Sequence, residues 1–240
     1  MIPRRGLTIS VGALLAVGGI VGLSSCAPDP GIPAPAQSQG GTTPAAPQPA
    51  TAPTPRLRVV TLGDSLMSRA GLPRGEAWPD LLAERDEVSV TNLACGGMGF
   101  VVAGECGTPY AGFSPAVAAL QPELIIVQSS SNDFWQDADE IRADTDDTVV
   151  RLHEAAPDAR IVGLSTIWNA DPEVPGDTVT TSDALRVAVS SVGGTFVDVG
   201  QPLAGHPDWL QVDDIHPTAR GQKAIEQAVV SALQDAGVLP

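Results

Sequence analysis

Leu57-Arg58-Val59-Val60-Thr61-Leu62-Gly63-Asp64-Ser65-Leu66 is the stretch on which the fold turns. Six residues rich in β-branched and apolar side chains read as a strand, and Gly-Asp-Ser breaks it into a turn. Working outward, 88–93 reads as a second strand. Leu124-Ile125-Ile126-Val127 is a continuous apolar run, the pattern of a strand buried on both faces. Ile161-Val162-Gly163-Leu164 and Thr195-Phe196-Val197-Asp198-Val199 supply a fourth and a fifth. Helical patterns fall between them at 77–85, 115–120, 137–155 and 182–191. A last helix is expected over 217–234 with Pro217 in its first turn. Strict alternation of strand and helix implies an α/β domain, a parallel sheet of about five strands in a three-layer α/β/α sandwich. The stretch 56–240 is long enough to bury one substantial core.

Four motifs carry candidate chemistry: Gly63-Asp64-Ser65-Leu66, Gly97, Asn132-Asp133, and Asp213-Asp214-Ile215-His216-Pro217. Each follows a strand's carboxyl end or lies in a loop that can reach that edge, where open α/β sheets bind ligands. Ser65 alone would read as a helix cap. With a base to take its proton it becomes a nucleophile, and His216 is a candidate base. Asp213, three residues before His216, can hold one ring nitrogen while the other faces Ser65. Asp214 competes for that role. Developing negative charge would need donors: the Ser65 N–H, a backbone N–H in the Gly-rich loop at Gly96, Gly97 or Gly99, and the Asn132 amide.

These four blocks, in this order, resemble the SGNH (GDSL-type) hydrolase family, in which Ser, Gly, Asn and His come from separate segments. The resemblance covers roughly 56–234 and implies a flavodoxin-like sheet, a Ser65–His216–Asp213 triad and no cofactor or metal. Counting from Asn92, where the family's second block has Asn, it selects Gly97 as the glycine donor. The family's third block is Gly-x-Asn-Asp, whereas this chain has Ser130-Ser131-Asn132-Asp133. The segment Ala77-Trp78-Pro79-Asp80-Leu81-Leu82 also looks like that of lipase- or thioesterase-like members. The expected activity is hydrolysis of acyl or acetyl esters through an acyl-enzyme, on a small-molecule, lipid or glycan ester. Acyl transfer by the same site is one alternative, and a non-catalytic envelope binding lipoprotein is another. No Gly-x-Ser-x-Gly occurs, so the α/β-hydrolase nucleophile elbow is absent.

Other polar residues read as bland. Asp64 and Asp133 are expected to hydrogen-bond neighbouring loop N–H groups. His153 and His206 read as surface residues, and Asp144, Asp146 and Asp147 as a solvated helix face, since a calcium loop's glycine and terminal glutamate are missing. Trp135 and Trp168 follow strands and either line an acyl or sugar pocket or pack in the core.

The amino-terminal quarter is of another kind. Arg4-Arg5 precede an uncharged stretch over 6–23, which closes in Leu23-Ser24-Ser25-Cys26. This resembles a bacterial lipoprotein signal over 1–25, with Cys26 lipidated as the first mature residue. A plain transmembrane anchor is the competing reading, at the short limit for spanning a bilayer. Residues 26–55 are mostly Pro, Ala, Thr, Gln and Gly, too poor in large apolar groups to fold, and read as a tether. An extracytoplasmic protein held to the membrane only by that anchor is therefore expected, and a monomer. Export would allow Cys95 and Cys106 to form a disulfide. The net charge of −15 becomes −17 without Arg4 and Arg5, which argues against nucleic-acid partners.

Overall fold

The structure, a computed structural model, describes residues 55–240. The expected signal and Cys26, and all but the last residue of the tether, lie outside the described residues. The five strands are β1 (Leu57–Leu62), β2 (Val88–Asn92), β3 (Leu124–Gln128), β4 (Arg160–Leu164) and β5 (Thr195–Val197). All pair in parallel, in the order β2-β1-β3-β4-β5. The chain steps from β1 to one side and then returns to the other, so the strand order reverses at β1. That reversal opens a crevice at the carboxyl ends of β1 and β3.

Burial of β3 shows why the sheet sits between layers. Leu124, Ile125, Ile126 and Val127 are all inaccessible to solvent. Leu124 and Ile126 pack with Trp78, Leu82, Ile225, Val229 and Leu233, from α1 (Trp78–Leu82) and α5 (Ala219–Asp235). Ile125 and Val127 point the other way. They join Val117, Val149, Leu152, Leu185 and Val189, from α2 (Ser114–Leu120), α3 (Ala138–Ala155) and α4 (Asp177–Ser191). Among the described residues no helix is long and apolar enough to cross a membrane.

Element edges differ from the sequence reading where tertiary contacts act. Helix α4 begins five residues earlier than 182, in a polar stretch of poor helix formers. Thr181 Oγ1 lies 2.8 Å from Thr166 Oγ1, and Ser182 Oγ accepts the Thr166 N–H at 3.0 Å. Those buried bonds to the end of β4 hold the extra turn. Helix α5 does not start with proline: Thr218 is its cap, and Pro217 instead bridges Leu210 in an isolated antiparallel pair. β5 stops at Val197 because Asp198 turns away, its carboxylate accepting from the Ser165 hydroxyl and the Gly200 N–H.

After β2 the chain enters a glycine-rich loop closed by a Cys95–Cys106 disulfide, with Cα atoms 6.2 Å apart. Gly104 adopts φ +60°, and a Cβ there would sit 2.5 Å from the Met98 nitrogen. The loop's two arms are thus pressed backbone to backbone. By chain entropy, closing a loop of this length contributes about 2–3 kcal/mol. Replacing both Cys95 and Cys106 by Ser should lower stability by about that amount in urea unfolding; no measurable loss would show the staple to be idle.

Candidate active site

Ser65 leaves β1 on a tight turn that is fixed from several directions. The Asp64 carbonyl accepts the N–H groups of Met67 and Ser68, and its carboxylate accepts the Leu66 N–H at 2.9 Å. Ser130, at the end of β3, donates its hydroxyl to the other Asp64 oxygen at 2.6 Å. Asn92, at the end of β2, donates its amide to the Met67 carbonyl at 2.8 Å. Gln222 of α5 donates to the Leu66 carbonyl at 2.9 Å and accepts the Trp78 N–H at 2.8 Å. Ser65 itself is half-buried, and its N–H has no acceptor among the described residues.

The glycine loop and the Asn132 segment are tied to each other. The Asp133 carboxylate, buried, accepts the N–H groups of Phe100 at 2.7 Å and of Val101 and Val102 at 3.1 Å. Asn132 Nδ2 donates to the Met98 carbonyl at 3.1 Å, which leaves its second amide hydrogen for the cavity it lines. Gly97 has φ +68° and an N–H without an acceptor among the described residues. Gly99 drops out as a donor, because its N–H is spent on the Val102 carbonyl at 2.9 Å. Gly96 and Gly97 both line the cavity.

On the opposite wall, His216 Nδ1 lies 2.7 Å from Asp213 Oδ2. Asp213 Oδ1 accepts the backbone N–H groups of Ile215 and His216 at 3.1 and 3.0 Å. The side-chain bond to His216, then these two N–H groups, draw the Asp213 carboxyl down to about 2. It is ionised throughout the neutral range, and Nδ1 is the nitrogen that donates to it. Nε2 is left for the cavity. Asp214, exposed at φ +57°, makes no bond to the ring. Gln211 secures the loop by donating to the carbonyls of Ala70 and Pro217 at 2.7 and 2.9 Å.

Ser65, Gly97, Asn132 and His216 therefore line one cavity of about 620 Å³. No hydrogen bond joins Ser65 to His216 among the described residues, and such contacts commonly tighten only when substrate binds. Trp135 and Trp168 also line the cavity, which decides between their two readings, and it is Phe134 that packs in the core. His206 stacks on Trp209 away from the site, with ring centroids 3.7 Å apart. Asp147 pairs with Arg151 along the exposed face of α3. No group of three or more His, Cys, Asp or Glu is placed to hold a metal among the described residues.

Sequence reasoning missed Gln211, Gln222 and the function of Ser130. Gln222 left a signal: it occupies the first position of the apolar stripe Gln222, Ile225, Val229, Leu233. Ser130 left one too, as a departure from the family's glycine. Its oxygen both donates to Asp64 and accepts the Asn132 N–H at 3.0 Å, so one hydroxyl joins the Ser65 turn to the Asn132 segment. Removing it strands a buried carboxylate oxygen. Ser130→Ala should cost about 1–3 kcal/mol in urea unfolding. Adding Asp64→Asn should recover part of that loss, because the stranded group is then no longer an anion. A loss below about 0.5 kcal/mol, the size of an ordinary surface change, would deny the bond its importance.

Residues 61–224 match the GDSL-like Lipase/Acylhydrolase family. No curated protein matches the chain by sequence. Solved structures share its fold at low identity. The psychrotrophic esterase EstA from Pseudoalteromonas sp. superposes with a TM-score of 0.61 at 17% identity, covering 75% of this chain and 97% of that one. The acetyl xylan esterase Est2A from the rumen bacterium Butyrivibrio proteoclasticus gives 0.60 at 12%, covering 79% and 67%. A family two carbohydrate esterase from Cellvibrio japonicus gives 0.60 at 18%, covering 75% of this chain and 61% of that protein. With the family match spanning most of the described residues, the chain belongs to the GDSL-like lipase/acylhydrolase family and is a serine carboxylic ester hydrolase.

Proposed function

We propose that Ser65 is the nucleophile, His216 the general base and Asp213 the carboxylate that orients it, and that the reaction passes through an acyl-enzyme. The observation that carries this reading is the Asp213 clamp on His216 Nδ1, which commits Nε2 to the cavity shared with Ser65. Nε2 takes the hydroxyl proton as Ser65 Oγ attacks the ester carbonyl, and the imidazolium is stabilised by ionised Asp213. The negative oxygen of the tetrahedral intermediate accepts from the Ser65 N–H, the Gly97 N–H and the Asn132 amide. Each preorganised donor lowers the barrier by about 2.7–4 kcal/mol. His216 then returns the proton to the departing alkoxide, leaving acyl-Ser65. Water, deprotonated by the same ring, releases the acid and restores the hydroxyl.

Two features support an extracytoplasmic, lipid-anchored enzyme: the signal-like segment ending at Cys26 and the Cys95–Cys106 disulfide, which suits an oxidising compartment. The ester carries no net negative charge, since a chain of net charge −15 repels anionic substrates.

Ser65→Ala should lower kcat for p-nitrophenyl acetate by at least about 10⁴-fold with unfolding unchanged, and a fluorophosphonate probe should label the Ser65 peptide in the wild type alone. Residual turnover near the wild-type rate would remove Ser65 from the nucleophile role. Cys26→Ala should release the protein from the membrane fraction; retention there with an uncut amino terminus would favour a membrane-spanning anchor instead.

A further inference from the structure

Trp135 stands apart among the large apolar residues near the cavity. It lines the mouth yet is 82% exposed. It also holds φ +64°, in the left-handed region that a bulky side chain rarely enters. Phe134, its neighbour in sequence, is buried and stacks on Trp168 with centroids 5.4 Å apart, while it meets the Trp135 ring edge-on at 5.9 Å. The chain thus drives Phe134 inward and, by a strained residue, turns the next aromatic ring out to solvent. Strain of this kind persists where the geometry is used.

Resting on the esterase reading above, we infer that Trp135 is a platform for the alcohol half of the substrate, and that this half is a neutral sugar ring. A pyranose has an apolar C–H face and a rim of hydroxyls, which suits an aromatic surface that stays wet on one side. The same cavity is lined by groups that can pair with hydroxyls, the Glu105 carboxylate, the Asn169 amide and the Ser68 hydroxyl. An acyl chain lying there would desolvate those polar groups without pairing them. A lipid surface is disfavoured for a second reason. The exposed Val212 and Ile215 flank Asp213 and Asp214, so pressing them into an anionic membrane would carry two carboxylates with them. The acyl group then enters past Trp135 toward Ser65 and Gly97, and the sugar stays at the mouth.

The test uses the full chain with three esters: methyl 6-O-acetyl-glucopyranoside, its octanoyl counterpart and ethyl acetate. Trp135→Ala should raise KM for the acetylated glucoside about tenfold, the worth of one aromatic stacking contact. Its preference for that glucoside over ethyl acetate should collapse, and Trp135→Phe should restore most of it. An equal loss on the glucoside and on ethyl acetate would overturn the platform, and a loss that grows with acyl length would reassign Trp135 to the acyl chain. Trp135→Gly should relieve the strained backbone and raise Tm by about 2–4 °C; a fall in Tm would mean that the ring serves packing. Binding is read separately in Ser65→Ala by titrating the acetylated glucoside against tryptophan emission. A blue shift that vanishes with Trp135→Phe supports the platform even if no ester is turned over, a result that would overturn the esterase reading alone. No shift, with ethyl acetate hydrolysed normally by the wild type, overturns the platform alone.

Discussion

The Asp64 carboxylate has almost no access to water, and the catalytic edge is organised by the way its two oxygens are satisfied. One takes the Leu66 N–H and the other the Ser130 hydroxyl. The first bond shapes the turn that carries Ser65. The second fastens that turn to the end of β3, the strand paired with β1 in the sheet's centre. Because Ser130 also accepts the Asn132 N–H, the Ser65 turn and the Asn132 segment are positioned by one short buried chain of hydrogen bonds. Such a chain tolerates little slack, since a partner lost in the interior is not replaced by solvent.

Three aspartates use the same acceptor chemistry in different surroundings. Burial pushes the carboxyls of Asp64 and Asp133 upward, against the pull of their hydrogen bonds. Their folded values exceed the unfolded one, so the native state holds those protons more tightly. Burying the two anions therefore costs stability at neutral pH, and that cost is relieved as pH falls through the raised values toward 3.8. Asp213 is exposed and shifts the other way, to about 2. Its contribution is fully present above 3.8 and is lost as pH falls toward 2, well below working conditions. The carboxylate beside the His216 ring thus remains charged through neutral and mildly acidic pH.

Rigidity and exposure lie close together around the cavity. The glycine loop is stapled by Cys95–Cys106, pressed together at Gly104 and hung by three N–H groups from Asp133. N–H groups held this way keep their direction without reorganising, the property on which the proposed oxyanion role depends. Trp135 faces outward at the mouth on a backbone that would relax with glycine. A stability cost located at a ligand contact is the trade that natural active sites commonly make.

Much of this was legible in the sequence. Period and composition placed all five strands and all five helices, because an apolar run such as Leu124-Ile125-Ile126-Val127 can be buried on both faces only inside a layered sheet. The motif order named Ser65, Gly97, Asn132, Asp213 and His216 together, and the family resemblance selected Gly97 in its loop and Asp213 over Asp214. What local pattern could not supply was anything that depends on two distant segments meeting. Helix α4 starts at Asp177 because Thr166 bonds Thr181 and Ser182 across the fold. Gln222 reaches Leu66 from 156 positions away. Ser130 reads as a lost glycine until the fold sets it 2.6 Å from Asp64. Side-chain type and spacing determine which chemistry a chain can perform; which polar groups are cut off from water, and so must find one another, is decided only when the sheet closes.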